Sequence, residues 1–488
     1  MSAVCVMVLG TTSGAGKSWL ATALCRHYAR QGLKVVPFKA QNMSNNARVV
    51  AGGAGGEGEI GSAQYFQALA ARAEPEVRMN PLLLKPEADT CSQVVLMGAV
   101  SRELSDLPWR GRSERVWPSI TAALDALRAE NDVVVIEGAG SPAEINLMDS
   151  DIVNLRVARH AQARCLLVTD IDRGGAFAHL YGTWALLPEA DRALIRGFVL
   201  NKFRGDARLL APAPQRLQDL TGVPVVATLP MWWQHGLPEE DGVFDDRSRS
   251  VGVVRLTVAV IAWPRISNLD EFQPLKNISG VRLVWARTPA DCAGADWIIL
   301  PGSKSTAADL AWLRAQGLDQ TVAHHAAQGR AVLGICGGLQ VLGEALIDPN
   351  GIDGNAPGLG LLPLVTVFDT DKTVRRSTVT LGELVGPWHA LSGVRVSGYE
   401  IHHGQTVQHP AMAARGDVAR EVVPGLAWQN VAGNVWGSYL HGLFEDPAVL
   451  RALFGATAPT LEAVFDGLAD FLEQHIEPGV LDALIHKD

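Results

Sequence analysis

Short apolar runs recur through the first half of the chain, at residues 4–9, 34–38, 132–136, 164–169, 197–200 and 224–228. Each run is continuous rather than alternating, the pattern of a strand buried on both faces. Helical stretches lie between several of them, residues 17–30 most plainly. The first half therefore predicts the strand–helix–strand rhythm of a mainly parallel sheet covered on both sides. Residues 236–250 break this rhythm, being polar and nearly free of large aliphatic side chains, and predict a linker. The rhythm then restarts, with strands expected at residues 256–262, 281–285, 297–300 and 331–334 and helices at 307–314 and 320–328. Residues 459–485 carry a helical apolar pattern, and the glycine-rich stretch 52–61 predicts an exposed loop. The expected layout is one domain over residues 1–235, the linker, a second domain over 251–453 and a helical tail over 454–488.

Composition narrows the class. A chain of 488 residues supports two or three cores, and 48% hydrophobic with 19% charged residues is ordinary for a globular protein. The net charge of −9 offers no basic footprint, which argues against nucleic acid as a partner. No run is long and apolar enough to predict a membrane span, and residues 2–9 read as a first core strand rather than a signal peptide. The six cysteines are scattered with no C-x-x-C pair, which fits a reducing cytoplasm and disfavours a zinc site or a disulfide framework.

Gly10-Thr11-Thr12-Ser13-Gly14-Ala15-Gly16-Lys17-Ser18 follows a strand and opens a helix. Glycines in that setting let backbone N–H groups converge on phosphate at a helix N-terminus. Gly10, Thr12, Gly14 and Gly16 shape the cradle, Lys17 is expected to bridge the terminal phosphates of a nucleotide, and the Ser18 hydroxyl is an expected Mg²⁺ ligand. Five residues rather than four separate Gly10 from Gly16. A Mg²⁺-nucleotide also needs an acid from another strand, and Glu137, ending the run Val133-Val134-Val135-Ile136, lies where such sites gather. Glu59 and Asp172 are second candidates, and Arg173 in Asp170-Ile171-Asp172-Arg173-Gly174-Gly175 is a candidate phosphate contact.

Gly334-Ile335-Cys336-Gly337-Gly338 places a cysteine on a glycine-flanked turn between a strand and a helix, the thiol form of a nucleophile elbow. The Gly337 N–H then faces a developing oxyanion, with Pro301-Gly302-Ser303 a source of a second donor. Cys5, Cys25, Cys91, Cys165 and Cys292 read as small buried hydrophobes. Among 13 histidines, His441 follows an apolar run and precedes a glycine, which makes it the first candidate base; His402 and His403 compete.

Taken in order, these motifs resemble the glutamine-hydrolysing cobyric acid synthase family. The resemblance is carried by Gly10 to Ser18, Pro37-Phe38-Lys39-Ala40-Gln41-Asn42-Met43-Ser44-Asn45-Asn46, Met79-Asn80-Pro81-Leu82-Leu83-Leu84-Lys85-Pro86 and Glu137-Gly138-Ala139-Gly140-Ser141-Pro142. It continues through Asp170 to Gly175, Asn201-Lys202-Phe203-Arg204-Gly205-Asp206, Leu300 to Lys304, Gly334 to Gly338, Gly398 to His402 and Tyr439-Leu440-His441-Gly442. It implies an α/β fold in two parts: a P-loop, dethiobiotin-synthetase-like parallel-sheet domain followed by a class I glutamine-amidotransferase-like α/β domain. The implied activity is ATP- and Mg²⁺-dependent amidation of the b, d, e and g carboxylates of a corrinoid, adenosylcobyrinic acid a,c-diamide, with glutamine as nitrogen donor. Cys336 and His441 are the implied glutaminase residues and Lys17, Ser18 and Lys39 the implied nucleotide residues. One departure stands out: class I amidotransferases usually carry His-x-Glu, whereas the residue two after His441 is Leu443, which leaves either a Cys–His pair or a substitute such as Glu445.

Two rivals are set by the same residues. The sister enzyme for the a and c carboxylates is expected to carry a Gly-Pro-Asp-type sequence after Phe-Lys, where this chain has Gln41-Asn42-Met43-Ser44. A partitioning-type switch ATPase is expected to have an extra lysine at the head of the phosphate loop, where Thr11-Thr12 stand.

Overall fold

The computed structural model describes residues 2–88, 91–233, 235–238, 253–455 and 459–486. Strands β1 (Val4–Gly10), β2 (Val35–Phe38), β3 (Val133–Glu137), β4 (Arg164–Asp170), β5 (Ile195–Phe203) and β6 (Val225–Pro230) form one sheet in the order β6-β5-β4-β1-β3-β2. Every neighbouring pair runs parallel. The sheet is covered on both faces, which is why its strands read as unbroken Val, Ile and Leu runs. The chain leaves β1 toward β2 on one side and returns through β4 on the other, so a topological switch point falls at the carboxyl end of β1. Helix α1 (Lys17–Arg30) starts there, after Gly16 turns the backbone at φ 101°.

The stretch expected as an exposed loop is a hairpin. Ala47–Ala51 pairs antiparallel with Glu57–Gly61, residues 58–61 are buried, and helix α2 (Ser62–Ala70) follows directly. Its glycines serve close approach rather than freedom: a Cβ on Gly58 would lie 2.7 Å from the Val77 side chain and 3.0 Å from Gly98 Cα.

The second sheet comprises β7 (Leu256–Ile261), β8 (Val281–Ala286), β9 (Trp297–Leu300), β10 (Ala331–Ile335), β11 (Arg420–Val423), β12 (Ala427–Gln429) and β13 (Val435–Ser438). Its order is β8-β7-β9-β10-β13-β12-β11, parallel from β8 to β13 and antiparallel beyond. Helix α3 (Gly337–Leu342) leaves the end of β10. A long antiparallel pair, Leu364–Thr380 with Arg395–Gln408, reaches from this half toward the first.

The tail is helical, and it returns to the first sheet. Helix α4 (Leu461–His475) buries Val464, Phe465, Leu468 and Leu472 in the same core as Leu20, Leu24 and Tyr28 of α1. Buried Arg26 pairs with Glu462 and Asp466, and the Glu477 N–H donates to the Val226 carbonyl of β6. Of the linker expected at residues 236–250, only 236–238 are among the described residues. Among the described residues no helix is long and apolar enough to cross a membrane.

Candidate active site

At the carboxyl end of the first sheet, Ser18 Oγ donates to Glu137 Oε1 at 2.8 Å, and Lys39 Nζ donates to the same oxygen at 2.9 Å. Gln67 Nε2 donates to Glu137 Oε2 at 2.5 Å. Burial alone would raise the Glu137 carboxyl; the Lys39 charge and the hydrogen bonds from Lys39, Gln67 and Ser18 outweigh it and hold the group below the ordinary carboxylate range. Lys17 Nζ donates to the Thr12 carbonyl at 3.0 Å and the Gly140 carbonyl at 3.2 Å, folding back over its own loop. Gly10 packs against the Lys17 stem, Gly14 has φ 70°, and a Cβ on Gly16 would fall 2.0 Å from Asn201 Nδ2. No side chain but glycine fits there.

These groups open into a cavity of about 860 Å³ that also takes in Arg173, Asn42, Met43, Trp232 and Phe471. Arg173 stands at its edge, 71% exposed, with Nε 3.5 Å from Asp170. Trp232 and Phe471 stack at 4.8 Å, so the returning tail forms part of the wall. Glu59 stands elsewhere. It is buried between Lys85 Nζ, at 2.8 Å, and Lys372 Nζ, both of which donate to it, and it does not line this cavity. Two lysines hold Glu59 ionised against its burial, so its carboxylate is committed to the contact between the halves rather than to Ser18 and Glu137. Asp172 does reach the cavity, but its carboxylate accepts from Arg204 at 2.6 Å.

At the end of β10, Cys336 sits at φ 51°, ψ −106°, outside the regions open to ordinary L-residues. The helix dipole of α3 and the first turn of that helix lie directly behind it. A Cβ on Gly338 would fall 1.9 Å from the Leu300 carbonyl oxygen, and one on Gly337 would lie 2.8 Å from Ser303 N. The flanking glycines therefore bring the Gly302–Ser303 backbone against the elbow. His441 and Cys336 line one small pocket, in which the thiol donates to the Ile401 carbonyl at 3.6 Å. His441 Nδ1 faces Glu271 Oε1 at 3.2 Å, while the Gly442 N–H donates to Glu271 Oε2 at 2.9 Å. His441 and Glu271 are both fully buried. Burial would push the imidazole down, but the Glu271 carboxylate and the Cys336 sulfur carry it up to about 10.

A carboxylate facing His441 thus comes from another element, the short turn Leu269–Phe272, and not from the residues just after the histidine. The sequence did not point to Glu271; the one available signal was a pair of acids, Asp270-Glu271, between Leu269 and Phe272. Glu445 does not take the role, because both its oxygens accept from Arg48. His402 lines the same small pocket but stacks on Tyr439 at 3.8 Å and bonds Gly404 and Glu400. His403 is pushed down to about 4 by burial and the nearby lysines. Cys5, Cys25, Cys165 and Cys292 are buried as expected, whereas Cys91 is exposed on a strand that pairs along one edge with Leu82–Ala88.

A phosphate loop over one parallel sheet and a cysteine elbow over another, in one chain, define an amidotransferase that joins a nucleotide-binding domain to a glutamine amidotransferase domain. Residues 6–239 match the family model of the CobQ/CobB/MinD/ParA nucleotide binding domain, and residues 257–449 match that of the CobB/CobQ-like glutamine amidotransferase domain. The chain is 78% identical to the cobyric acid synthase of Acidovorax ebreus (strain TPSY), with 99% of each chain covered. It is 77% identical to that of Variovorax paradoxus (strain S110), over 99% of this chain and 100% of the relative. It is 64% identical to that of Leptothrix cholodnii (strain ATCC 51168 / LMG 8142 / SP-6), over 98% of this chain and 96% of the relative. The chain belongs to the cobyric acid synthase family of cobalamin biosynthesis.

Proposed function

We propose that the chain amidates the b, d, e and g carboxylates of adenosylcobyrinic acid a,c-diamide, using ATP for activation and glutamine for nitrogen. The observation that carries this reading is the presence of two residue clusters in one chain: Ser18, Glu137 and Lys39 beside the phosphate loop, and Cys336, His441 and Glu271 at the elbow.

Carboxylates do not react with ammonia, so a substrate carboxylate oxygen first attacks the γ-phosphorus of ATP; the new O–P bond replaces the bond to ADP. Lys17 and Lys39 neutralise charge on the transferring group, and the loop amides hold the phosphates. The hydroxyl of Ser18 and the carboxylate of Glu137 are both hard oxygen donors and already share a hydrogen bond, a fit for Mg²⁺, which when bound would screen phosphate charge. Ammonia then attacks the acyl carbon and phosphate leaves.

At the second site the Cys336 thiol passes its proton to His441 as the sulfur attacks the glutamine carboxamide carbon. His441 donates the proton that lets ammonia depart, and the resulting thioester is hydrolysed to glutamate. Glu271 keeps His441 turned toward sulfur and stabilises its charged form. Gly337 and Ser303 N–H groups are the oxyanion donors in this reading.

Incubation with the corrinoid, MgATP and glutamine, followed by mass spectrometry, tests the assignment. Stepwise replacement of OH by NH₂ is expected to stop once the b, d, e and g positions are amidated. Cys336→Ala should lose glutamine-dependent product and keep product formed with ammonium. Loss of both would overturn the division of labour. ATP hydrolysis without amidation would favour the switch ATPase.

A further inference from the structure

Arg48 belongs to the first half of the chain, on the hairpin strand Ala47–Ala51, and its guanidinium is buried where the halves meet, over Phe66 of its own half at 5.1 Å and against acids of the second. Its Nη1 donates to Glu445 Oε2 at 2.8 Å and its Nη2 to Glu445 Oε1 at 2.6 Å, while Nη2 also donates to Asp270. Asp270 is the neighbour of Glu271, and Glu445 closes the short turn that follows His441. One cation therefore ties the two segments that carry the orienting acid and the base. The same guanidinium lies 5.1 Å from the ring centroid of Tyr399, which in turn stacks on His441 at 5.3 Å and 17°.

The residues just before Arg48 reach the other site. Lys39 holds Glu137, Asn42 lines the phosphate-loop cavity, the Asn46 side chain accepts from Leu269 N, and Ala47 N donates to the Asn268 side chain. Residues 39–48 thus form one continuous segment with the nucleotide site at one end and the Glu271 turn at the other. A buried ion cluster with a single cation spanning two carboxylates is a discrete arrangement and does not deform smoothly.

We propose that Arg48 is a positioning residue for glutamine hydrolysis, setting the Glu271–His441 geometry and making it answer to the state of the phosphate-loop site. The inference rests on the reading of Cys336, His441 and Glu271 given above. It uses a residue of the synthetase half to govern a reaction in which that half touches no reacting atom.

Arg48→Lys keeps the charge but cannot serve Asp270 and Glu445 together. In the full-length enzyme it should lower kcat for glutamine hydrolysis by about tenfold or more, a loss of roughly 1.4 kcal/mol in transition-state stabilisation, with KM for glutamine and ammonium-dependent amidation unchanged. Any stimulation of the glutaminase by MgATP plus corrinoid should shrink with it. Arg48→Ala should be partly rescued by guanidinium ion added to the assay, which a generally loosened fold would not be. Unchanged glutamine hydrolysis and unchanged stimulation in Arg48→Lys would overturn the inference, as would parallel loss of the ammonium-dependent reaction, which would make Arg48 a structural clasp. If the unaltered enzyme releases no glutamate at all, it is the reading of the cysteine site that fails.

Discussion

In the proposed glutaminase site, Glu271 is the carboxylate that faces the buried His441, 3.2 Å from its Nδ1. A buried imidazole ordinarily loses its proton more easily; here the facing carboxylate and sulfur carry His441 from 6.5 to about 10. Glu271→Gln keeps the shape and one acceptor but removes the charge. It should cut kcat for glutamine hydrolysis on the order of 10⁴-fold, the scale seen when an orienting carboxylate is neutralised beside a catalytic histidine. Ammonium-dependent amidation should persist, and comparing the two rates in one preparation checks this. A pH effect follows with a defined sign. His441 is raised in the folded protein, so its ion pair contributes stability fully below about 6.5 and loses that contribution as pH rises through about 10. Thermal melts between neutral and alkaline pH should show that decline in the unaltered protein, and Glu271→Gln should move it to lower pH. The turn at Cys336 was legible in the sequence as a glycine-flanked cysteine between a strand and a helix, and the 1.9 Å approach of the Leu300 carbonyl at Gly338 supplies a packing reason for glycine there. Glu271 was not legible, because the acid comes from a turn 170 residues before the histidine, and no spacing rule links them.

Elements whose apolar runs are continuous were the readable ones. β1, β3, β4 and β9 fall within a residue of their expected bounds because burial on both faces leaves no choice of residue type. The hairpin at residues 47–61 was misread because glycine-rich composition signals a loop, whereas here glycines admit the neighbouring backbone of Gly98 and the side chain of Val77. Helix α4 shows the other limit: its amphipathic period announces a helix but not the surface that receives it. That surface is α1, and the contact holds two kinds of interaction of unequal worth. Phe465 is fully buried, and Phe465→Ala should destabilise the protein by about 3–5 kcal/mol. Glu462, whose side chain is 60% exposed, makes an ion pair with Arg26, and Glu462→Ala should cost less than about 1 kcal/mol. Equilibrium denaturation of both variants tests the ranking. Because Phe471 of the same helix stacks on Trp232 in the wall of the phosphate-loop cavity, Phe465→Ala should also weaken nucleotide binding.

The whole molecule is closed on itself in a way that neither half predicts alone. The chain builds the first sheet, then the second, then sends α4 back to cover α1 of the first. Between the halves lie buried ion pairs, Arg48 with Asp270 and Glu445 and Lys372 with Glu59, and an apolar cluster of Ala47, Val49, Leu83 and Val95 with Tyr399 and Ile401. Buried charges of this kind are costly unless paired, so each half separated from the other would carry uncompensated groups: Arg48 in one, Asp270 and Lys372 in the other, while Glu59 would keep Lys85 alone. The halves are therefore expected to hold together without a continuous backbone. Residues 236–250 are polar in sequence and supply none of these groups, which makes them the place to interrupt the chain. Residues 1–240 and 251–488 expressed together should copurify and amidate with glutamine. The same pair with the second piece ended at Gly455 should lose much of that association, since the surface of α1 that α4 covers, including Leu20 and Leu24, would then face water. Affinity capture through a tag on the first piece, followed by assays with glutamine and with ammonium, separates the possibilities. Copurification of the shortened pair at full yield and activity would mean that the interface around Arg48 and Glu59 alone unites the molecule. Failure of the complete pair to associate would mean that the covalent connection does.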